Sequence, residues 1–487
     1  MSLDRGTEKG YDTLEFVCLN IVRAKGFKAM RRANNLGQDP VGRLVLRLAI
    51  PTMLAQLVSV LYSIVDRMYI GQIPGVGDLA LAGVGVCGPV VTMVGSAAVW
   101  ISWGASPLMG IRMGEGRPGE ARRILRTGFC MLLAFSLAMM ALVIPLREPM
   151  LRFFGASDAT YPYADAYFTV YLTGTVFALL AAGLNQMIIA QGFAAQAMRL
   201  VVLGAALNIA LDPVFIFALN MGVRGAALAT VLSQMASAAG AVIFLRGRRA
   251  AIRLERGGLS LPAARKILTL GFTPFVMTIT ECAIQVVFNV CLNRATGGDR
   301  DYTAALTVML SALQLISLPL NGLGNGIQPF VSYNYGKGDE VRLKKGIRFV
   351  TVIAFVFCLT IWSLSMAMPQ IYAHLFSASE SVTEIVGKYC PLFLMGSIMF
   401  FVQMTLQNVN VALGQARSAL LLAVTRKVVI LIPLCFFLTH VLGFRGVYMS
   451  EGIADFAAGI ITSIVIFTSF PRIFHRRAMQ MRGETEK

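Results

Sequence analysis

Charge is the scarcest commodity in this sequence. Asp, Glu, Lys and Arg make up 14% of 487 residues, against roughly 25% in average soluble domains. So few charges cannot keep a chain of this length in water, so soluble domains are excluded. Histidine numbers only three (374, 440 and 475), and the eight cysteines are scattered without a CxxC pair. That removes the usual zinc spacings and leaves an enzyme without a nucleophile–base constellation. No resident cofactor is expected. A signal-peptide core is missing as well: Phe16–Val22 is too short and is interrupted by Asn20. Acidic residues are outnumbered, 25 against 43 basic, for a net charge of +18. The excess would suit nucleic acid, but the cations sit in short clusters between long apolar runs. Membrane lipid is therefore the expected partner, and nucleic acid is not.

Hydrophobic residues fill 56% of the chain. A membrane helix needs roughly 20 mostly apolar residues. Twelve runs qualify, near 44–70, 79–107, 124–146, 163–190, 199–219, 225–245, 267–292, 303–329, 346–368, 389–413, 420–440 and 446–470. With the N-terminus in the cytoplasm, 35 of the 43 basic residues fall on that side, 7 fall opposite, and Arg67 lies within the first run. Cytoplasmic loops are enriched in Lys and Arg, so both termini are expected inside.

A repeat divides the chain. Gly114-Glu-Gly116 recurs as Gly336-Lys-Gly338, Phe154 and Ser157 as Phe376 and Ser379, and Tyr167 and Gly174 as Tyr389 and Gly396, all 222 residues apart. Ala190 and Gly192 match Ala412 and Gly414 at the same offset, and Gly222-Val-Arg-Gly225 matches Gly443-Phe-Arg-Gly446 at 221. Six spans followed by six more make parallel repeats, a transporter architecture. The expected organisation is a basic leader (1–40), an N-lobe (41–246), a cytoplasmic loop (247–265), a C-lobe (266–470) and a basic tail (471–487).

Five carboxylates fall within the apolar runs: Asp66, Asp212, Glu281, Glu451 and Asp455. Each costs about 2.5–3.5 kcal/mol to place at the bilayer centre, so each is a candidate for function. Asn208 and Asp212 share a helix face, and Pro213 can leave an upstream carbonyl free. Such oxygens suit Na⁺, and a buried carboxylate can instead carry a proton. The alternative for Asp66 is a pair with Arg67, which points about 100° away on a helix. Glu281, Gln285 and Asn289 form a stripe, as do Gln314, Asn321, Asn325 and Gln328, and Gln403, Gln407 and Asn410. Such amides either join membrane helices or line a wet cavity. Glu451 and Asp455, at i and i+4, face either that cavity or a pair with Arg426 or Lys427 of the neighbouring span.

In combination, five segments resemble multidrug and toxic compound extrusion (MATE) transporters of the MepA-like branch: Ala49-Ile-Pro51-Thr-Met-Leu-Ala-Gln56, Ile64-Val-Asp66-Arg-Met-Tyr-Ile-Gly71, Leu207-Asn-Ile-Ala-Leu-Asp212-Pro, Gly225-Ala-Ala-Leu-Ala-Thr230 and Gln328-Pro-Phe-Val-Ser-Tyr-Asn-Tyr-Gly336. The resemblance spans roughly residues 36–470. It implies an all-α polytopic fold of twelve helices in two pseudo-symmetric six-helix bundles, V-shaped, monomeric, in a bacterial inner membrane. It also implies rocker-switch export of cationic amphiphilic small molecules in antiport with H⁺ or Na⁺.

The implied N-lobe cation site, for H⁺ or Na⁺, is Asp66, Asn208, Asp212 and Thr230, with Asn185 close by. Pro51 is the implied hinge. Glu281, Gln285, Asn289, Gln314, Asn321, Gln403, Gln407, Glu451 and Asp455 are the candidate substrate-cavity residues. The tenth-helix acid of some members has no counterpart; that stretch holds Gln403 and Gln407. Residues 1–29 fall outside the resemblance, and a start at Met30 would account for them. The rival reading is a lipid-linked oligosaccharide flippase of the same superfamily, expected to line its cleft with Arg and Lys for a pyrophosphate. Here five acids in the apolar runs oppose Arg67, Arg426 and Lys427.

Overall fold

The structure is a computed structural model that describes residues 34–482 apart from 298, 377 and 378. The leader up to residue 33, with the start considered at Met30, and the last five residues of the tail lie outside the described residues. Twelve helical passes follow one another: α1 Val41–Gly71, α2 Gly77–Gly114, α3 Pro118–Phe153, α4 Tyr161–Ala190, α5 Ala194–Ala218, α6 Val223–Arg246, α7 Leu261–Thr296, α8 Arg300–Lys337, α9 Glu340–Ala367, α10 Glu380–Ala412, α11 Arg417–Leu442 and α12 Phe444–Arg482. Among the described residues there are no strands. Eleven of these helices are long and apolar enough to cross a membrane, and the bent pair making up α4 supplies the twelfth. The all-α, twelve-pass expectation is borne out.

Local chemistry explains the departures from regular helix. α4 bends by 59° at Gly174, where a side chain would strike Val231 of α6. Pro213 lacks an amide hydrogen, and the chain beyond it widens into a π-turn over Val214–Ala218. Further π-turns occupy Phe401–Leu406 in α10 and Thr425–Leu431 in α11. α7 begins at Leu261, inside the segment expected to be loop as far as 265, because Pro262 is tolerated in a helix's first turn. The tail expected from 471 continues α12 through Pro471 to Arg482.

Buried apolar side chains gather in two clusters. One is built from α2–α6 with Ile70 and the start of α7. The other is built from α7–α12 and also takes in Leu36, Val41, Leu44, Val45, Leu48, Ala49 and Ala194, so α1 begins in the second cluster and ends in the first.

Contacts between the halves gather at the end carrying the start of α1, the end of α12 and the 247–260 loop. Thr52 Oγ1 donates to the Gly322 carbonyl at 2.6 Å, Trp100 Nε1 to the Leu268 carbonyl at 2.9 Å, and Gln186 Nε2 to Gln328 Oε1 at 2.7 Å. At Gly104 and Gly271 the α2 and α7 backbones approach so closely that a Cβ on either would meet a main-chain carbonyl. Asn334 and Arg342 hold the carbonyl of Leu36 at 3.1 and 3.3 Å. Toward the other end, Ile64 and Met68 of α1 and Gln285 and Asn289 of α7 are exposed. The molecule is a V, closed at the loop-rich end.

Candidate functional site

The first constellation lies where α1, α4, α5 and α6 meet. One turn of α5 places Asn208 against Asp212, so Asn208 Nδ2 donates to Asp212 Oδ1 at 3.2 Å; Thr230 Oγ1 of α6 lies 3.4 Å from the same nitrogen. Asp212 and Asn208 are buried. Asp66, on α1, is close enough for its charge to act on Asp212, and α1 packs along α5. A pocket of about 180 Å³ opens beside them, lined by Ser59, Tyr62, Asn185, Asn208, Thr230 and Gln234 among others. Five buried oxygens around it accept no hydrogen bond: Asp66 Oδ1, Asn185 Oδ1, Asn208 Oδ1, Asp212 Oδ2 and Gln234 Oε1.

Buried acceptors are normally satisfied. Unpaired oxygens on two carboxylates and three amides are a donor set suited to a hard monovalent cation, or to a proton on either acid. All five N-lobe residues named from the sequence thus come together. Gln234 was missed, although it stands four residues after Thr230 on the same face of α6.

The second constellation, in α7 and α10–α12, separates the cavity candidates. Gln285, Asn289 and Gln314 are exposed and Asn321 is partly buried. Glu281, its side chain 58% exposed, forms an ion pair with Lys427 Nζ, which is 3% exposed and also donates to the Met277 carbonyl at 3.2 Å. Deeper still, Arg426 Nη2 lies 2.5 Å from Asp455 Oδ1 and 3.5 Å from Glu451 Oε1. Gln403 Nε2 donates to the main-chain carbonyl of Asp455 at 2.5 Å, and Gln407 Nε2 to that of Ala419 at 3.4 Å. Gln403, Glu451 and Asp455 are buried between helices, and for the two acids the ion-pair alternative is the one present. Pro51 is buried within an unbroken α1.

The MatE family model matches residues 51–214 and again 275–437, about two-thirds of the chain. The chain belongs to the MatE family.

The two matches begin 224 residues apart, close to the offset of the sequence repeat. The FAD transporter of Shewanella oneidensis is 23% identical over 446 residues, covering 88% of this chain and 95% of its own. Multidrug export protein MepA of Staphylococcus aureus is 23% identical over 436 residues, covering 88% and 94%. A solved outward-facing structure of a multidrug resistance MATE family transporter of the MOP superfamily superposes with a TM-score of 0.81 at 22% identity, covering 92% of this chain and 99% of its own.

Members of the MatE family are transporters rather than enzymes, and this chain is a multi-pass membrane transporter with relatives that export small molecules. Asp66 and Asp212 fall in the first match and Glu281 in the second; Glu451 and Asp455 lie beyond both.

Proposed function

We propose that this protein is a secondary active exporter of cationic amphiphilic compounds, driven by antiport of H⁺ or Na⁺ and working by rocker-switch alternating access. Its lobes are residues 41–246 and 266–470, both termini are cytoplasmic, and it acts as a monomer in a bacterial inner membrane. The observation that carries this reading is the pair Asp66 and Asp212 near one another beside a small pocket, each with a buried oxygen that lacks a hydrogen-bond partner.

A cation or proton arriving from outside satisfies those oxygens. Drug and ion then compete for the same negative charge, directly or through the lobe arrangement. With the basic loops in the cytoplasm, the V is outward-open, ready to release drug and load the ion. MepA among the relatives supports a drug substrate. The relative named as an FAD transporter points instead to an anionic cargo, as the flippase reading does. Both would need free cations in the cleft, yet Arg426 and Lys427 are already paired with acids and the remaining cation, Arg67, is exposed next to Asp66, on which its charge acts.

Ethidium efflux from proteoliposomes, with a pH gradient and a Na⁺ gradient imposed separately, tests the proposal. Export driven by one gradient supports antiport and names the ion. A folded protein that exports under neither is not this antiporter.

A further inference from the structure

The α11–α12 cluster has more acid than base. Glu281 and Lys427 pair at the cleft wall, which leaves Arg426 alone between Glu451 and Asp455. Successive helix residues point about 100° apart, so Lys427 reaches α7 while Arg426 reaches α12. Arg426 Nη2 lies 2.5 Å from Asp455 Oδ1 and donates to Glu451 Oε1 at 3.5 Å, while Glu451 Oε2 and both Asp455 carboxylate oxygens are buried without a hydrogen-bond partner.

The charged groups acting on Glu451 are Asp455 on its own helix, Arg426 and Lys427 on α11, and Glu281 on α7. From α10 come the amide of Gln403 and the ring of Phe400, which lies 5.6 Å from the Arg426 guanidinium. Three carboxylates therefore face two cations. An uncompensated charge is not stable in so dry a place, and a shared proton removes it.

We infer that Glu451 and Asp455 form a second proton-exchange site, holding one proton between them, physically separate from the Asp66–Asp212 site. With the proton bound, the cluster is neutral and closed. Once the proton leaves to water, two carboxylates share one guanidinium. That state needs hydration, which the cluster gains only when α11 and α12 part on one side of the membrane. The site rests on the antiporter reading for its purpose, but its existence does not depend on measured transport.

The test is infrared difference spectroscopy of the purified full chain in lipid between acid and alkaline pH, starting from the Asp66→Asn/Asp212→Asn variant. A pH-dependent carboxylic-acid carbonyl band should persist there. Adding Glu451→Gln or Asp455→Asn should abolish it, because either leaves one acid for one guanidinium. Adding Arg426→Gln should roughly double it, since two acids then need protons. Absence of the band from the starting variant, or a band unchanged by both Glu451→Gln and Asp455→Asn in folded protein, overturns the site. A band that behaves as described, in a protein with no ion-driven efflux, supports the site and refutes only the antiport reading.

Discussion

Arg477 Nη2 lies 2.8 Å from Glu115 Oε1, tying the end of α12 to the end of α2. Each side chain is only 13% exposed. Arg477 also donates to the carbonyls of Tyr335 and Gly336 at 3.1 and 2.7 Å, while Arg112 holds the other Glu115 oxygen at 2.6 Å. Hydrogen bonds to charged groups contribute about 1.5–3 kcal/mol. Glu115→Gln should therefore open the loop-rich end more often, by roughly tenfold or more, seen as longer distances between spin labels on α2 and α8. Arg477→Gln should do the same, and the double variant should be little worse than either single one. Fully additive effects would show that the pair does not act as a latch.

The latch also has a pH signature. Burial alone would raise the Glu115 carboxyl, but hydrogen bonds from Arg112 and Arg477, and their charges, outweigh it and hold it below the usual range. A group lowered on folding adds stability that is complete above its unfolded value, about 4.3, and is lost as pH falls through the folded one. Label distances at this end should thus stay constant from neutral to mildly acidic pH and lengthen only in stronger acid. Glu115→Gln should erase that acid response.

Asp212→Asn should abolish ion-driven ethidium export while drug binding, read by fluorescence anisotropy, survives. Thr230→Val removes one oxygen of several and should weaken export without ending it. Undiminished resistance in cells carrying Asp212→Asn would refute the assignment of the pocket.

Removing either partner of the Glu281–Lys427 pair should have unequal effects. Glu281→Gln strands a buried ammonium whose remaining described partner is the Met277 carbonyl. Breaking a buried pair costs about 3–5 kcal/mol, and the low end applies because Glu281 opens onto the cleft. Lys427→Met leaves a carboxylate that can take up water, so its melting temperature should fall less, and its affinity for organic cations should rise. Equal destabilisation by the two variants would contradict this.

A side chain at Gly271 would collide with the Trp100 carbonyl of α2. Gly271→Ala should therefore keep the loop-rich end from closing, with label distances there long under every gradient and export lost.

The fold was readable because a bilayer enforces a length rule: all twelve apolar runs overlap the helical passes. The α4 bend was not readable, since Gly174 signals nothing until Val231 is known to press on it. In the N-half, the spacing of Asn208 and Asp212 on one face of α5 was legible, whereas Thr230 and Asn185 were named only through the family resemblance and Gln234 was not named at all. Lys427 as the partner of Glu281 lies 146 residues away with no local signal. Whether Glu451 and Asp455 face a cavity or a cation depends on where α11 sets Arg426 against α12, which spacing along α12 alone does not fix.

Closure by backbone against backbone at Gly104 and Gly271 has an electrical meaning. In the proposed outward-open state, water in the open arm of the V leaves the membrane potential to fall across the thin seam beneath. In the proposed orientation, Asp66 and Asp212 then sit near the outside potential, and loading an ion there is nearly voltage-independent. Releasing it inward requires the seam to re-form on the other side of the site, carrying the charge through the field at about 2.3 kcal/mol per 100 mV. Under the proposed antiport cycle the glycine seam is thus the dielectric, and its position decides which half-step the membrane voltage drives.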